Sequence, residues 1–273
     1  MHVTTPGSTS RFASLAALAA FAFLPAIAGA QDFALYVSPP RVETGTKAGE
    51  TRREVIELHH VGRETGRFRI YTNDWTLKDD GTVEFSDNLA PQSCRPWVAL
   101  ERREVSIPPN GRYRFRFEVS PPAGTPAREC RLAIMIEGLD TTKVAQGAFN
   151  FPVTGRIGVI VYAKVGEVAP NLAIGKARVA TTKAGRQPVI EVTNTGGATG
   201  RLEGFLVAKD ADGKELELAP DPAPILPGAT RAIALVPSTE EGKPPAAIRF
   251  PLTVKGTLEW GKSRQSLDLR FEP

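Results

Sequence analysis

The chain has 273 residues and a formal net charge of +4, from 34 basic and 30 acidic side chains. So small an excess of positive charge gives no reason to expect a nucleic acid or another polyanion as partner. Three histidines and two cysteines in the whole chain also disfavour most metal sites and nucleophile–histidine systems.

Residues 1–30 have the pattern of a signal peptide. Arg11 provides a positive start, residues 15–28 are almost wholly apolar, and Ala28-Gly29-Ala30 is a small-residue cleavage site before Gln31. The apolar run is shorter than the roughly 20 residues that a membrane span requires, and no second run of this kind follows. We therefore expect an exported, periplasmic chain of about 243 residues that has no integral membrane segment.

Short strands separated by turns recur along this mature chain, and no stretch keeps a helical period over three turns. In the first half the predicted strands are 55–58, 67–71, 82–85, 98–100, 105–107, 113–119, 132–136 and 148–165. In the second half they are 173–180, 188–193, 204–208, 215–218, 231–236, 252–260 and 266–271. Between the halves, Gly166 and Pro170 interrupt the alternation. The pattern predicts an all-β fold of two consecutive immunoglobulin-like β-sandwich domains, at 31–166 and 167–273.

Cys94 and Cys130 both lie beyond the leader. An even pair of cysteines in an exported chain predicts one disulfide, Cys94–Cys130. Closing a loop of about 36 residues is worth roughly 4 kcal/mol in the loop-entropy model. A reactive thiol is the other reading, but it lacks a supporting histidine.

The stretch 148–165 is the most informative part of the chain, because apolar residues alternate along it and therefore share one face of a strand. These residues are Phe149, Phe151, Val153, Ile157, Val159 and Val161. Pro152 lies in the middle of the stretch, and proline within a sheet is confined to edges and bulges. A long apolar edge strand is an aggregation liability unless something pairs with it. The sequence therefore predicts a strand that is shared with another protein.

Three other patterns have simpler interpretations than chemistry. His59 and His60 are neighbours, so on a strand they point to opposite faces and cannot share a ligand site. Residues 210–213 lack the spacing of a calcium loop and predict a hairpin turn. The glycine-rich segment 195–200 opens no helix, which argues against a phosphate site. We therefore expect no catalytic residue, no metal site and no cofactor.

Two sets of arginines need separate interpretation. Arg112, Arg114 and Arg116 alternate with aromatic residues, as expected for a sandwich strand with guanidiniums in water and rings in the core. A contact between these arginines and acidic lipid or a partner stays open. Arg41 stands among apolar neighbours, where it either extends to the surface or holds a carboxylate through its planar fork.

The first half resembles the amino-terminal domain of periplasmic pilus-assembly chaperones. Three motifs carry the resemblance: Ser38-Pro-Pro-Arg41-Val42, the hairpin Ile107-Pro-Pro-Asn-Gly111-Arg112-Tyr-Arg-Phe-Arg116, and the alternation of residues 149–153 followed by Arg156-Ile157. Two immunoglobulin-like domains match as well, so the resemblance covers nearly the whole mature chain.

The resemblance implies that the final strand of the first domain completes the fold of a pilus subunit, a mode of strand addition that is known for pilin complementation. By position, Phe149, Phe151, Val153 and Ile157 are the expected donor residues and Arg41 the anchor of the subunit's terminal carboxylate. The implied partners are pilus or surface-appendage subunits and an outer-membrane usher.

One position departs from the family pattern. Gly158 stands where the family has a lysine that helps to hold the subunit's carboxylate. Arg156 is two residues earlier on the same face and is the expected substitute, about 6–7 Å along the strand. The sequence thus predicts a divergent, non-enzymatic chaperone with Arg41 and Arg156 as carboxylate anchor. The alternative is a structural or adhesive envelope protein whose sandwiches only scaffold other components.

Overall fold

A computed structural model describes residues 1–2, 34–140, 142–146, 149–182, 185–239 and 246–273, with the backbone alone for 142–146 and 149–153. All but the first two residues of the predicted leader lie outside these ranges. Within them, no helix is both long enough and apolar enough to cross a membrane.

The predicted all-β class is confirmed, because strands account for nearly all regular structure and the one helical element described is the 3-10 turn Arg95–Trp97. The first half contains β1 (Leu35–Ser38), β2 (Arg41–Thr46), β3 (Arg52–His60), β4 (Gly66–Leu77), β5 (Val83–Ser86), β6 (Val98–Leu100), β7 (Glu104–Ile107), β8 (Arg112–Val119), β9 (Arg128–Gly138), β10 (Thr142–Gln146), β11 (Phe149–Val153) and β12 (Arg156–Val165). The second half contains β13 (Leu172–Thr182), β14 (Gly185–Asn194), β15 (Leu206–Lys209), β16 (Glu215–Pro220), β17 (Thr230–Pro237), β18 (Leu252–Trp260) and β19 (Ser263–Phe271).

Two sheets enclose the core of the first half. One has the order β1-β3-β8-β6, and the other has the order β2-β12-β9-β4-β5 with β7 also paired to β4. Alternation decides which side chains enter the core: Phe115 and Phe117 in β8 are buried, whereas the alternating arginines of the same strand are exposed. The expected orientation of this strand is therefore confirmed.

A single seven-stranded sheet forms the second half, in the order β13-β14-β17-β16-β15-β18-β19. It surrounds a separate core to which nearly every strand contributes apolar residues, with Trp260 and Phe271 among the largest. β12 ends at Val165 and β13 begins at Leu172. The domain ranges 31–166 and 167–273 themselves stay a prediction.

The stretch 148–165 is not one strand, which corrects the sequence-based expectation. β11 ends at Val153 and β12 begins at Arg156. The pairing register also changes across the break, from Val153 opposite Thr142 to Arg156 opposite Glu137. More residues on the β9–β10 side therefore face the two residues 154–155, and this bulge divides the strand.

A disulfide joins Cys94 and Cys130, with their Cα atoms 6.2 Å apart and 36 positions apart in sequence. Both cysteines are buried in the first core. Cys94 precedes the 3-10 turn and Cys130 lies in β9. The bond therefore fixes the connection after β5 to a central strand.

Loss of this bond should destabilise the first domain. We expect the double variant Cys94→Ala/Cys130→Ala to lose about 4 kcal/mol of unfolding free energy, because its unfolded chain is no longer constrained by the loop. Urea unfolding of the oxidised natural protein and the variant measures the difference. Equal unfolding midpoints would show that the disulfide has no stabilising role.

Candidate functional site

Only part of one edge of β12 is paired with another strand. β9 pairs with β12 along residues 156–165, whereas β2 pairs in parallel with residues 160–165 alone. β11 has one strand neighbour, β10, among the described pairings. From residue 149 to residue 159, therefore, one side of the backbone has no strand partner within the described part of the chain.

The expectation of an edge along the entire stretch thus holds for 149–159 and is wrong for 160–165. Beyond residue 159 the chain's own β2 completes the ladder. Pro152 lies in β11 opposite Lys143, which is a position that proline tolerates because the other side of this strand is unpaired.

The predicted donor residues divide between the two strands. Phe149, Phe151 and Val153 lie at alternate positions of β11, and their side chains lie outside the described residues. Ile157 in β12 is partly buried and packs against the first core. Val159 and Val161 are fully buried there, so they are structural residues of this domain.

Gly158 faces the opposite side of β12, away from the core. A Cβ atom at this position would lie 2.5 Å from Cζ of Phe85 and 3.1 Å from Sδ of Met135. Such short separations exclude a side chain without movement of the aromatic ring. Residue 158 therefore has no room for a side chain such as lysine, since Phe85 occupies the space.

Arg156 lies on the same outward face, at the start of β12. Its guanidinium donates a hydrogen bond to the hydroxyl of Tyr71 at 3.4 Å. Across the sheet, a hydrogen bond from Arg69 lowers the pKa of Glu137, with Tyr71 and the charge of Arg156 acting in the same direction and burial opposing them. Arg156 is thus one cation of a polar cluster at the open end of β12.

Arg41 occupies a different place. It lies opposite Ile160 in the parallel pairing of β2 with β12, four residues and therefore about 13 Å along the strand from Arg156. Its Nε donates to Glu43 at 3.1 Å. The structure accordingly does not bring Arg41 and Arg156 together, although both are on the outward face.

Arg201 of the second half reaches the same face, and sequence reasoning missed it. Its Nη1 donates to Glu43 at 3.0 Å, and its Nη2 donates to the Tyr162 hydroxyl at 3.2 Å. The guanidinium carbon lies 5.2 Å from the centroid of the Tyr162 ring. Burial raises the pKa of Tyr162, while the charge and hydrogen bond of Arg201 act against this.

The glycine-rich segment 195–200 also has a role that its sequence did not suggest. Glu129, whose side chain is 1% exposed, accepts hydrogen bonds from the backbone N–H of Thr199 at 2.8 Å and from its hydroxyl at 2.5 Å. Arg231 donates to the backbone carbonyls of Lys78 and Asp79 at 3.0 and 3.2 Å. Polar contacts therefore join the two halves. Thr199 lies two residues before Arg201 in the chain.

The groups considered for chemistry are used structurally. Both ring nitrogens of buried His60 lie within hydrogen-bond distance of backbone carbonyls, those of Ala34 and Glu64. The carboxylate of Asp210 accepts from the N–H groups of Asp212 and Lys214 and closes a turn. Across the described ranges, no group of three or more histidine, cysteine or acidic side chains is arranged to hold a metal.

No protein-family model and no curated protein sequence matches the chain. Among solved structures, it is similar to the YadV chaperone, with 11% identity, a TM-score of 0.47 and coverage of 86% of this chain and 98% of that one. It is also similar to the class 5 fimbriae chaperone CfaA, with 12% identity, a TM-score of 0.46 and coverage of 88% and 99%. A third is the Salmonella enterica complex of the SafB chaperone with the SafA pilin, with 12% identity, a TM-score of 0.44 and coverage of 87% and 97%. Chaperones of fimbrial pili, which the sequence resembles, are thus among the solved structures similar to this chain.

The polar cluster around Arg156 gives a prediction about acid titration. Arg69→Ala should raise the pKa of Glu137, because the hydrogen bond from Arg69 is the largest cause of its depression. Carboxyl carbon NMR during a pH titration measures this change. Stabilisation by the Glu137 carboxylate is present above its unfolded pKa and is lost as pH falls through the lower folded pKa. Because Arg69→Ala raises the folded pKa, the variant should lose this stabilisation at a higher pH than the natural protein does.

A matched control is Arg67→Ala. Arg67 binds Asp140 and lowers the pKa of that carboxyl. This variant should therefore raise the pKa of Asp140 and leave the pKa of Glu137 unchanged. An identical Glu137 titration in Arg69→Ala and the natural protein would contradict the assignment.

Proposed function

We propose that the protein is an exported chaperone that binds subunits of a pilus or a related surface appendage through strand addition. The observation that carries the proposal is that β2 pairs with β12 only from residue 160 onward. It leaves residues 149–159 with strand neighbours on one side only in the described part of the chain.

An unpaired strand edge binds another chain through backbone hydrogen bonds, and alternate side chains provide specificity. Residues 149–159 span about 35 Å at the usual rise per residue. This length suits a partner segment of ordinary strand length with several backbone hydrogen bonds. The bulge at residues 154–155 separates the segment into an outer part, β11, and an inner part next to the core.

Apolar burial supplies the second contribution. Phe149, Phe151 and Val153 are the proposed donor residues of β11, with Ile157 contributing the part of its side chain that its own core leaves accessible. Burying a large apolar side chain contributes about 1.5–3 kcal/mol. Three such residues provide several kcal/mol before the cost of association is subtracted.

The proposal assigns no reaction and no cofactor to the protein. Export depends on the signal peptide that residues 1–30 predict, and it places the chaperone in the periplasm with its subunits. An outer-membrane usher is the proposed recipient of the complex. Subunit capture by variants of β11 distinguishes this function from the scaffolding of other components.

Phe151→Arg should abolish subunit capture while the domain remains folded, because a charge in the partner's apolar groove is costly. The measurement is co-purification of subunits from a native periplasm with the tagged protein, alongside circular dichroism of each variant. Asn150→Arg is the matched control, since it adds the same charge at the neighbouring position of β11. Neighbouring positions of a strand project from opposite faces.

Capture should be at least about tenfold lower for Phe151→Arg than for Asn150→Arg, which corresponds to about 1.4 kcal/mol. Equal capture by both variants would mean that β11 is not a donor strand and would favour the scaffold alternative.

The free edge also predicts a pattern of amide exchange. In the protein alone, amides of residues 156–159 that point away from β9 should exchange faster than those of 160–165, which β2 also covers. Bound subunit should slow the first group and leave the second unchanged. Hydrogen–deuterium exchange read by NMR measures both, and uniform protection across β12 in the free protein would contradict the open margin.

A further inference from the structure

Two large apolar side chains are exposed on the outward face of the second-half sheet. Phe205 is 73% exposed and Val207 is 59% exposed, and among the described residues only Met1 has a large apolar side chain more exposed than Phe205. Leu206 between them is buried in the second core, so the two side chains share the opposite face of the strand. The outward face of a sandwich normally carries polar side chains. This exception indicates a surface that a partner covers.

The two side chains belong to an apolar strip that crosses neighbouring strands. By the register of β15 with β16, Phe205 lies next to Ala219. Ala219 in turn pairs with Val236 of β17, and both are partly exposed. Phe205, Val207, Ala219 and Val236 therefore form one contiguous apolar strip on three adjacent strands.

The two sides of this strip carry opposite charges. Val207 lies between Glu217 of β16 and Lys255 of β18, and both charged side chains are exposed. Farther out on the acidic side, the hydroxyl of Ser238 donates to Glu217 at 3.2 Å. Farther out on the basic side, Lys255 binds Asp268 of β19 at 3.0 Å. Across the sheet, the row is thus hydroxyl, acid, apolar, base and acid.

A face with this row is complementary to itself. Rotation by a two-fold axis parallel to β15 keeps the strand direction and exchanges the two sides of the row. Glu217 of each copy then faces Lys255 of the other, and Ser238 faces Asp268. The apolar strip packs against its own counterpart, with Phe205 of each copy near the axis. Such a contact is isologous, because one patch serves both partners.

We propose that this face is a docking surface for a second copy of the chain, packed sheet against sheet with the strands aligned. The face requires a partner that has an apolar centre, with a basic group opposite its acid and an acidic group opposite its base. The same face on another copy presents that arrangement. None of its residues belongs to residues 149–159 or to β2, so the contact goes beyond the proposed function and does not depend on it.

The size of the face indicates a weak contact. Five strands from β17 to β19 extend roughly 24 Å at the usual strand spacing, and residues 205–209 extend roughly 16 Å, so on the order of 400 Å² of each copy is covered. This is half of the about 800 Å² per partner of a standard stable interface. Lys209 also approaches its own counterpart, although Glu215 opposite it in β16 offsets part of the repulsion. We expect a reversible dimer with a dissociation constant on the order of 100 μM.

Sedimentation equilibrium of residues 31–273 at concentrations below and above this value measures the association. The natural protein should change from monomer to dimer. Phe205→Asp should weaken the dimer at least about tenfold, because it places two carboxylates at the apolar centre. Tyr36→Asp is the matched control, since Tyr36 in β1 is an exposed aromatic residue of the first half, 66% exposed. This control should dimerise as the natural protein does.

Exchange of the charges tests whether the partner is a second copy. Glu217→Lys should weaken the dimer about tenfold, because two lysines then face each other at two symmetric places. Glu217→Lys/Lys255→Glu should recover most of this loss, since the same contacts form with their signs exchanged. Asp268 beside residue 255 keeps the recovery incomplete. Circular dichroism should show that all variants are folded.

Three results would overturn the proposal: a natural protein that stays monomeric at several times the expected dissociation constant, unchanged dimerisation of Phe205→Asp, or no recovery in the charge-exchanged variant. Phe151→Arg separates this face from the free edge and should dimerise normally. A dimer that is lost in Phe151→Arg and retained in Phe205→Asp would place the contact at the edge of β11 and would also overturn the proposal.

Discussion

The parallel pairing of β2 with residues 160–165 of β12 is the contact on which the rest of the structure depends. This pairing completes one sheet of the first sandwich. Because it begins only at residue 160 of β12, the edge of the chain before that residue has no strand partner on this side within the described residues. The same register places Arg41 opposite Ile160 and Glu43 opposite Tyr162. A single backbone alignment therefore determines both the extent of the free edge and the composition of the outward face beside it.

That outward face is arranged by aromatic packing and by the second half of the chain. Phe85 covers Gly158, and Met135, which is paired with Gly158 on β9, is fully buried although it lies outside the main core. Arg201 covers the Tyr162 ring, which also packs against Trp75 with the two rings nearly perpendicular. The face near the junction thus offers little apolar surface, and its accessible groups are chiefly charged, with Glu43 between two arginines.

Contacts between the halves are polar and specific in position. The Glu129 carboxylate binds Thr199, and Arg231 binds two backbone carbonyls in the turn after β4. The buried, hydrogen-bonded carboxylate of Glu129 favours one arrangement over others, because a misplaced partner would leave a buried charge unpaired. Such contacts give the junction between the two halves a defined geometry.

The sequence by itself determined the all-β class, the disulfide partners and the inward face of strands such as β8, because these depend on alternation and on counts of residues. It also marked residues 149–153 as alternating. Tertiary structure alone decided that β2 pairs with β12 only from residue 160, why residue 158 is glycine, and that Arg201 rather than Arg156 lies beside Arg41. These outcomes depend on contacts between residues more than seventy positions apart, and no local period or spacing in the chain records them.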